Sequence, residues 1–278
     1  MRVDAHQHFW TLARGDYDWL TPELTVLYRD HTPHDLEPLL AAHKIDATIL
    51  VQAAPTIAET HYMLELAMQH KFIQGVVGWV DFESQDAASV ITSLAKHPRL
   101  VGLRPMIQSI ENTDWMLGAN LTGAFTSLVE HKLVFDALTL PKHLPNLIQL
   151  LNRHPDMRMV IDHGSKPSIK TGSFQPWATD MALIANESEA YVKLSGLVTE
   201  ASEDWSVDDL KPYVDHLISS FGPNRLIWGS DWPVCTLASS YEKWCNTTDT
   251  LLSDLDHADR SAILGGNAVQ MYNLNGAR

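Results

Sequence analysis

Eight short apolar, β-branched runs recur along the chain, most of them beginning about 25–35 residues apart, and helical patterns fill the gaps between them. That rhythm restricts the chain to alternating strands and helices. The strands are expected at Val3 to Phe9, Ala47 to Ala54, Gln74 to Phe82, Val101 to Ile107, Leu133 to Leu138, Met157 to His163, Ala190 to Gly196 and Leu226 to Asp231. Stretches such as Thr48-Ile49-Leu50-Val51 and Met159-Val160-Ile161 are continuously apolar, which suits parallel strands covered on both faces. Segments Thr60 to Lys71 and Leu144 to Leu151 carry apolar residues at three- and four-residue spacing and are expected as outer helices.

Eight such units predict a (β/α)8 TIM barrel. An open doubly wound sheet would more often place a glycine-rich phosphate turn after its first strand, and His6-Gln7-His8 stands there instead. No Pro/Ser-rich linker or shift in composition divides the chain, so residues 1–278 are expected to form one domain. Two departures from the repeat stand out. The connection from Trp10 to Pro33 is too long for an idle loop and is expected to cap the barrel mouth. After the eighth strand, two helical segments run to Tyr272 and are expected to close the base or side of the barrel.

Composition removes several function classes. Twenty Lys and Arg against 34 Asp and Glu give a net charge of −14, which repels nucleic-acid backbones and anionic membranes. No apolar run approaches the roughly 18 residues of a membrane span, and the first residues lack the order of a signal peptide. Only Cys235 and Cys245 are present, too few for a disulfide framework. A cytoplasmic protein acting on a small molecule is expected, with homo-oligomerisation left open.

Of fourteen histidines, five end a helical pattern just before the next strand: His43, His70, His97, His131 and His154. There an imidazole can cap free carbonyls and meet the negative end of the helix dipole, a structural role. His6 and His8 differ. Two apart at the carboxyl end of the first strand, they point the same way into the barrel mouth. His163 and Asp231 end the sixth and eighth strands, at the rim where barrel catalytic residues converge. Three imidazoles and one carboxylate suit one divalent ion, Zn²⁺ above all, with a position left for water. A second metal is not expected, since the fourth and fifth strands offer Arg104 and Asp136 rather than a bridging ligand.

The blocks Asp4-Ala5-His6-Gln7-His8-Phe9-Trp10, Asp16-Tyr17-Asp18-Trp19-Leu20, Leu50-Val51-Gln52-Ala53, Gly78-Trp79-Val80-Asp81, Gly102-Leu103-Arg104, Ile161-Asp162-His163, Val192-Lys193-Leu194-Ser195-Gly196-Leu197, Trp228-Gly229-Ser230-Asp231-Trp232-Pro233 and Gly266-Asn267-Ala268 with Tyr272 fall in one order along the chain. In that order they resemble the amidohydrolase superfamily, and within it the amidohydrolase 2 group of sugar lactonases, which includes L-fuconolactonases and L-rhamnonolactonases. One departure is local: where that group commonly has Leu-Gly-Lys-Pro after the sixth-strand histidine, this chain reads Gly164-Ser165-Lys166-Pro167. The resemblance implies a hydrolase that opens an aldonolactone to its free acid.

Lactone hydrolysis needs a polarised carbonyl, an activated water and a proton for the leaving oxygen. Asp231 is expected as the general base, provided its surroundings tune it for work near neutral pH. His6, His8 and His163 either hold a metal on the carbonyl or donate hydrogen bonds to it directly, in a metal-independent version. Arg104, Lys166, Gln52, Trp79 and Trp232 are expected to contact the substrate, the tryptophans by stacking on sugar faces. Two rivals remain: a metal-dependent decarboxylase of the same superfamily, and a non-catalytic barrel that binds a sugar acid. No Gly-x-Ser-x-Gly elbow is present to support a serine-hydrolase route.

Overall fold

The computed structural model describes residues 1–274. Eight parallel strands pair in sequence order, β1 Val3–Gln7, β2 Ala47–Val51, β3 Ile73–Gly78, β4 Leu100–Leu103, β5 Val134–Ala137, β6 Met159–Ile161, β7 Tyr191–Leu194 and β8 Leu226–Trp228. Each is followed by a helix: α1 Pro33–Ala42, α2 Ile57–Gln69, α3 Ala87–Leu94, α4 Thr122–Glu130, α5 Leu144–Arg153, α6 Trp177–Glu187, α7 Val207–Phe221 and α8 Tyr241–Leu251. The architecture is the expected (β/α)8 barrel. All eight strands stop earlier than the apolar runs do, so the polar residues that end those runs lie just beyond the sheet, free to turn into the mouth.

Several of the helices begin where short polar side chains can bind free N–H groups. Thr32 and Asp35 form a capping box before Pro33 at the start of α1, Thr56 caps α2 by accepting from Glu59 N–H, and Ser206 with Asp209 repeats the box at α7. Their apolar faces cover the sheet: in α5, Leu144, Leu147, Leu150 and Leu151 are buried. Inside the barrel a separate cluster of Val3, Ala5, Ala47, Ile49, Val51, Val77, Val101, Val134, Val160 and Ile227 packs against Ala268, Met271 and Tyr272.

Those last three residues belong to the end of the described chain, where α9 (His257–Ser261), a π turn and α10 (Asn267–Met271) close the base. The expected closure is therefore at the base. Its tip is polar: the buried Tyr272 hydroxyl donates to both oxygens of Asp136, at 2.9 and 3.0 Å, from below.

At the other end, Trp10 and His31 exchange backbone hydrogen bonds of 2.9 Å, pinning the two ends of the long first loop together. Trp10, Tyr17, Leu20 and Leu27 form a small core with Ala53 and Ala54, so the loop packs against the end of β2.

The five helix-end histidines are in the expected places but not in the expected role. His43, His70, His131 and His154 are the cap residues that close α1, α2, α4 and α5, and His97 lies just past α3. Among the described residues none of these rings bonds a helix carbonyl. His131 Nε2 pairs with the Thr92 hydroxyl, His97 Nδ1 accepts the Arg99 N–H, and the His43 and His154 rings pack on Tyr241 and Phe125. Burial lowers His97 and His154 below the ordinary imidazole range, helped by Arg99 and Arg153, the reverse of what a dipole would do.

Tyr272→Phe keeps the ring that plugs the base while removing the O–H donated to Asp136. Urea unfolding is expected to register a loss of about 1.5–3 kcal/mol, the worth of a hydrogen bond to a charged group. A loss within experimental error would mean that Lys193 alone satisfies Asp136.

Candidate active site

The two ends of the sheet meet through β1 and the residues just past β8. Asp231 N–H donates to the His6 carbonyl and His8 N–H to the Trp232 carbonyl, both at 2.7 Å, and Ser230 N–H donates to the Asp4 carboxylate at 2.8 Å. This seam sets Asp231 beside the histidines of β1. Two glycines make room for them. A Cβ on Gly229 would stand 2.7 Å from the His6 Cβ, and one on Gly196, whose φ is +61°, would stand 2.5 Å from His163 Nδ1. Neither position tolerates a side chain while the imidazoles stay where they are.

Period-two alternation alone does not explain β1. Val3 and Ala5 face the barrel interior, whereas Asp4 faces the helix layer and accepts from the Tyr241 hydroxyl of α8 at 3.1 Å. His6 and His8 share the parity of Asp4, yet both rings point inward. The register supplies the reason: Asp4 pairs with Thr48 but Gln7 with Leu50, so three steps on β1 match two on β2. That bulge reverses the alternation and turns both histidines into the mouth. After β6 the chain makes a left-handed turn, with positive φ at His163, Gly164, Ser165 and Lys166 in succession. Trp177 holds it by donating its indole N–H to the Gly164 carbonyl at 2.7 Å, and the Ser165 hydroxyl pairs with that of Thr139 at 2.9 Å. Backbone in this region is unfavourable for side-chain-bearing residues, and here it swings His163 toward Asp231.

One oxygen of Asp231 faces all three imidazoles, 3.2 Å from His8 Nε2, 3.6 Å from His6 Nε2 and 3.9 Å from His163 Nε2. All four residues are buried. Partners on the far side of the rings orient them. His8 Nδ1–H donates to the Val51 carbonyl at 2.7 Å, which points its Nε2 edge at the Asp231 carboxylate. Arg104 Nη1 donates to His6 Nε2 at 3.3 Å, so the His6 proton sits on Nδ1, 3.4 Å from Asp162. His163 Nδ1 is hydrogen-bonded to the Ser195 hydroxyl at 2.8 Å. Ligand atoms of His6, His163 and Asp231 lie within 4.8 Å of one another, while His8 reaches the group through Asp231. These residues fit a zinc-like ion: nitrogen and oxygen donors converge, and the outer edges of His6, His8 and His163 are held by a carboxylate, a carbonyl and a hydroxyl.

Beneath the histidines lies a chain of buried charges. Lys193 pairs with Asp136 and, at 3.0 Å, with Asp162, and Asp162 also receives Arg104 at 3.3 Å. Burial pulls Asp162 upward, but Lys193, His6 and Arg104 outweigh it and hold the carboxyl well below the usual carboxylate range. Asp231 behaves alike: burial would raise it, yet the surrounding imidazoles, His163 foremost, keep it below its ordinary value. Burial lowers His163 to about 4 and holds His6 well below the ordinary imidazole range, against the pull of their carboxylates. Near neutral pH the centre is therefore an ionised Asp231 among uncharged His6 and His163. The tuning expected of Asp231 runs in the acidic direction, toward an always-ionised but weak base.

Above the cluster opens a cavity of about 220 Å³, with His8, Arg104, His163, Lys166 and Asp231 on its floor and walls together with Trp19, Ala53, Met106, Gln108, Ser109, Leu138 and Val234. Lys166 reaches it half-buried, 3.7 Å from Glu200. Three expected substrate contacts do not line it. Gln52 is fully buried with its amide N–H donated to the Arg104 carbonyl at 2.8 Å, Trp232 is packed on Phe9 and His31, and Trp79 stands outside, its backbone N–H and carbonyl both bonded to the Thr60 hydroxyl. A strand-end position suggests these contacts, but the strands stop early and the following turns point those side chains elsewhere. Trp19, from the long first loop, supplies the aromatic wall instead, its indole N–H donated to the Ala53 carbonyl at 2.7 Å. The tryptophans of that loop were a usable signal. Nothing in the sequence marked Met106, Gln108 or Val234.

An eight-stranded parallel barrel with imidazoles and a carboxylate at the carboxyl rim defines a class of small-molecule enzymes built on strand ends. The chain belongs to the amidohydrolase family, whose model, described as "Amidohydrolase", matches residues 3–274. It is 41% identical over 280 residues to the L-fucono-1,5-lactonase of Burkholderia ambifaria, covering 99% of this chain and 96% of that protein. It is 33% identical over 288 residues to the L-fucono-1,5-lactonase of Burkholderia multivorans, again covering 99% and 96%. A crystal structure of a Burkholderia multivorans amidohydrolase with bound zinc superposes with a TM-score of 0.92 at 34% identity, covering 98% of this chain and 99% of that one.

With the His163 imidazole buried against charge, an ¹⁵N-histidine titration of the metal-free protein should place its protonation midpoint near pH 4. A midpoint near the ordinary 6.5 would mean that the imidazole stands in a wetter, less enclosed pocket.

Proposed function

We propose that the protein hydrolyses a sugar-derived lactone, an aldonolactone of the L-fucono or L-rhamnono type, to the free acid, and that the whole chain acts as one catalytic unit in the cytoplasm. The observation that carries this reading is the ionised Asp231 facing three imidazole edges at the bottom of a cavity of about 220 Å³. That volume is below the roughly 300–1,000 Å³ of sites for drug-sized ligands, a size for one sugar ring rather than an oligosaccharide. Two relatives carrying the lactonase name across almost their full length support the substrate class.

In this reading the lactone carbonyl lies toward His6, His163 and Arg104, and a water stands between it and Asp231. As the water oxygen bonds to the carbonyl carbon, its proton passes to the Asp231 carboxylate. The negative charge that develops on the carbonyl oxygen is met by the Arg104 guanidinium. Collapse breaks the bond from the carbonyl carbon to the ring oxygen, and Asp231 returns the proton to that oxygen as it becomes a hydroxyl. The product is a hydroxy acid, which releases a proton at neutral pH. Lys166 would hold hydroxyls or the new carboxylate at the rim, and Trp19 takes the stacking role expected of Trp79 and Trp232.

A divalent ion, zinc by its donor set, would be held by His6, His163 and Asp231 with His8 alongside, and would supply Lewis-acid polarisation of the ester and a more acidic water.

In a pH-indicator assay the protein should release acid from L-fucono- or L-rhamnonolactone, and Asp231→Asn should lower kcat by a factor on the order of 10²–10⁴ with the fold retained. An Asn variant of near-normal kcat would remove Asp231 from the mechanism. Chelation is expected to lower the thermal midpoint and zinc to restore it, since an ion bound only by the folded state stabilises it.

A further inference from the structure

Three consecutive carbonyls just past or at the end of β2 hold three different parts of the site. The Val51 carbonyl accepts His8 Nδ1–H at 2.7 Å, the Gln52 carbonyl accepts the Arg104 guanidinium, and the Ala53 carbonyl accepts the Trp19 indole N–H at 2.7 Å. The strip is held from behind by one side chain. Glu59, in the first turn of α2, is fully buried and accepts from Ala53 N–H with both oxygens at 3.1 Å and from Ala54 N–H at 2.5 Å. It does not line the cavity, and besides these N–H groups its carboxyl feels the Tyr17 hydroxyl of the first loop and the Arg104 charge.

A buried carboxylate is costly to keep and persists where its hydrogen bonds fix something. Burial pushes the Glu59 carboxyl up to about 7, against the opposing pull of the Ala54 and Ala53 N–H groups. The first loop is attached to the scaffold at this same point, since Ala53 and Ala54 form the floor of its small core with Trp10, Tyr17, Leu20 and Leu27. His8 and Arg104 have further anchors in Asp231, Asp162 and His6, whereas Trp19 has only the Ala53 carbonyl as a hydrogen-bond partner among the described residues.

We propose that Glu59 is a positioning residue for substrate binding: by fixing the Ala53-Ala54 backbone it aims the Ala53 carbonyl at the Trp19 indole and so holds the aromatic wall over the cavity. The effect falls on Trp19 more than on the hydrolytic centre, which keeps its other partners. Like the reading above, it concerns the lactone site, but the latch itself is a statement about backbone and loop.

Two variants and their combination test it. In Glu59→Gln the isosteric amide can still accept one N–H but turns its own NH₂ toward the other. In Trp19→Phe the ring stays and the N–H donor is lost. On the lactone that the wild type turns over best, each is expected to raise KM by about tenfold while kcat changes less than about threefold, and Glu59→Gln should add less than about twofold to KM in the Trp19→Phe background. Hydrogen exchange by mass spectrometry should quicken in residues 52–56 and 11–31 of Glu59→Gln with the barrel strands unchanged. Independent, multiplying effects on KM, or a Glu59→Gln protein with unchanged KM, would overturn the proposal. If no lactone is turned over by the wild type, the lactonase reading fails and exchange alone decides: quicker exchange in both segments supports the latch, and unchanged exchange refutes it. Should Glu59→Gln not fold, Trp19→Phe decides, an unchanged KM counting against it.

Discussion

The hydrogen bonds that join β1 to the residues after β8 are the constraint from which the rest of the site follows. A barrel must close somewhere, and here the first and last strands meet where the chemistry-bearing residues stand. Asp231 and His6, separated by most of the chain, are linked by a backbone bond of 2.7 Å before any side chain is considered. The side-chain cluster is then a product of closure. The absence of a Cβ at Gly229 lets the two segments approach, and the bulge in β1 turns the histidines inward at the level where Asp231 arrives. Moving either one residue along its strand would dissolve the cluster without altering the fold class.

Closure alone would leave a ring of imidazoles free to rotate. The buried charges below prevent this. Lys193, placed between Asp136 and Asp162, keeps Asp162 ionised, and Asp162 in turn faces the Nδ1 edge of His6 and one end of Arg104. An arrangement of this kind would be destabilising if any one member were missing, because the remainder would be buried without a partner. Its value lies in orientation: the Nε2 edge of His6 is directed toward Asp231, and the base of the barrel is tied to its rim through Tyr272 and Asp136.

Much of this was legible in the sequence. The recurring apolar runs predict the barrel, and the placement of His6, His8, His163 and Asp231 at run ends predicts their meeting, because the strand ends of a closed parallel barrel all face one rim. What stayed hidden depends on turns. Gln52, Trp79 and Trp232 each end or follow a strand, yet a side chain beyond the last ladder bond takes its direction from local backbone, which apolar periodicity does not encode. The bulge in β1 is invisible for the same reason, and the expected direction of His6 and His8 agrees with the structure only because of it. Lys193 and Asp136 carry a further signal: a charge inside an otherwise apolar, fully buried strand is tolerable only with a partner, and each strand carries half of the pair.

The central claim is that the four side chains gathered by barrel closure surround the reacting ester. A crystal structure of the Asp231→Asn protein soaked with its sugar lactone tests it most directly. The account predicts one ring in the cavity beneath Trp19, with the ester carbonyl toward His6, His163 and Arg104 and a water between it and residue 231. A lactone bound elsewhere, or seated in the cavity with its carbonyl turned away from that cluster, would contradict it.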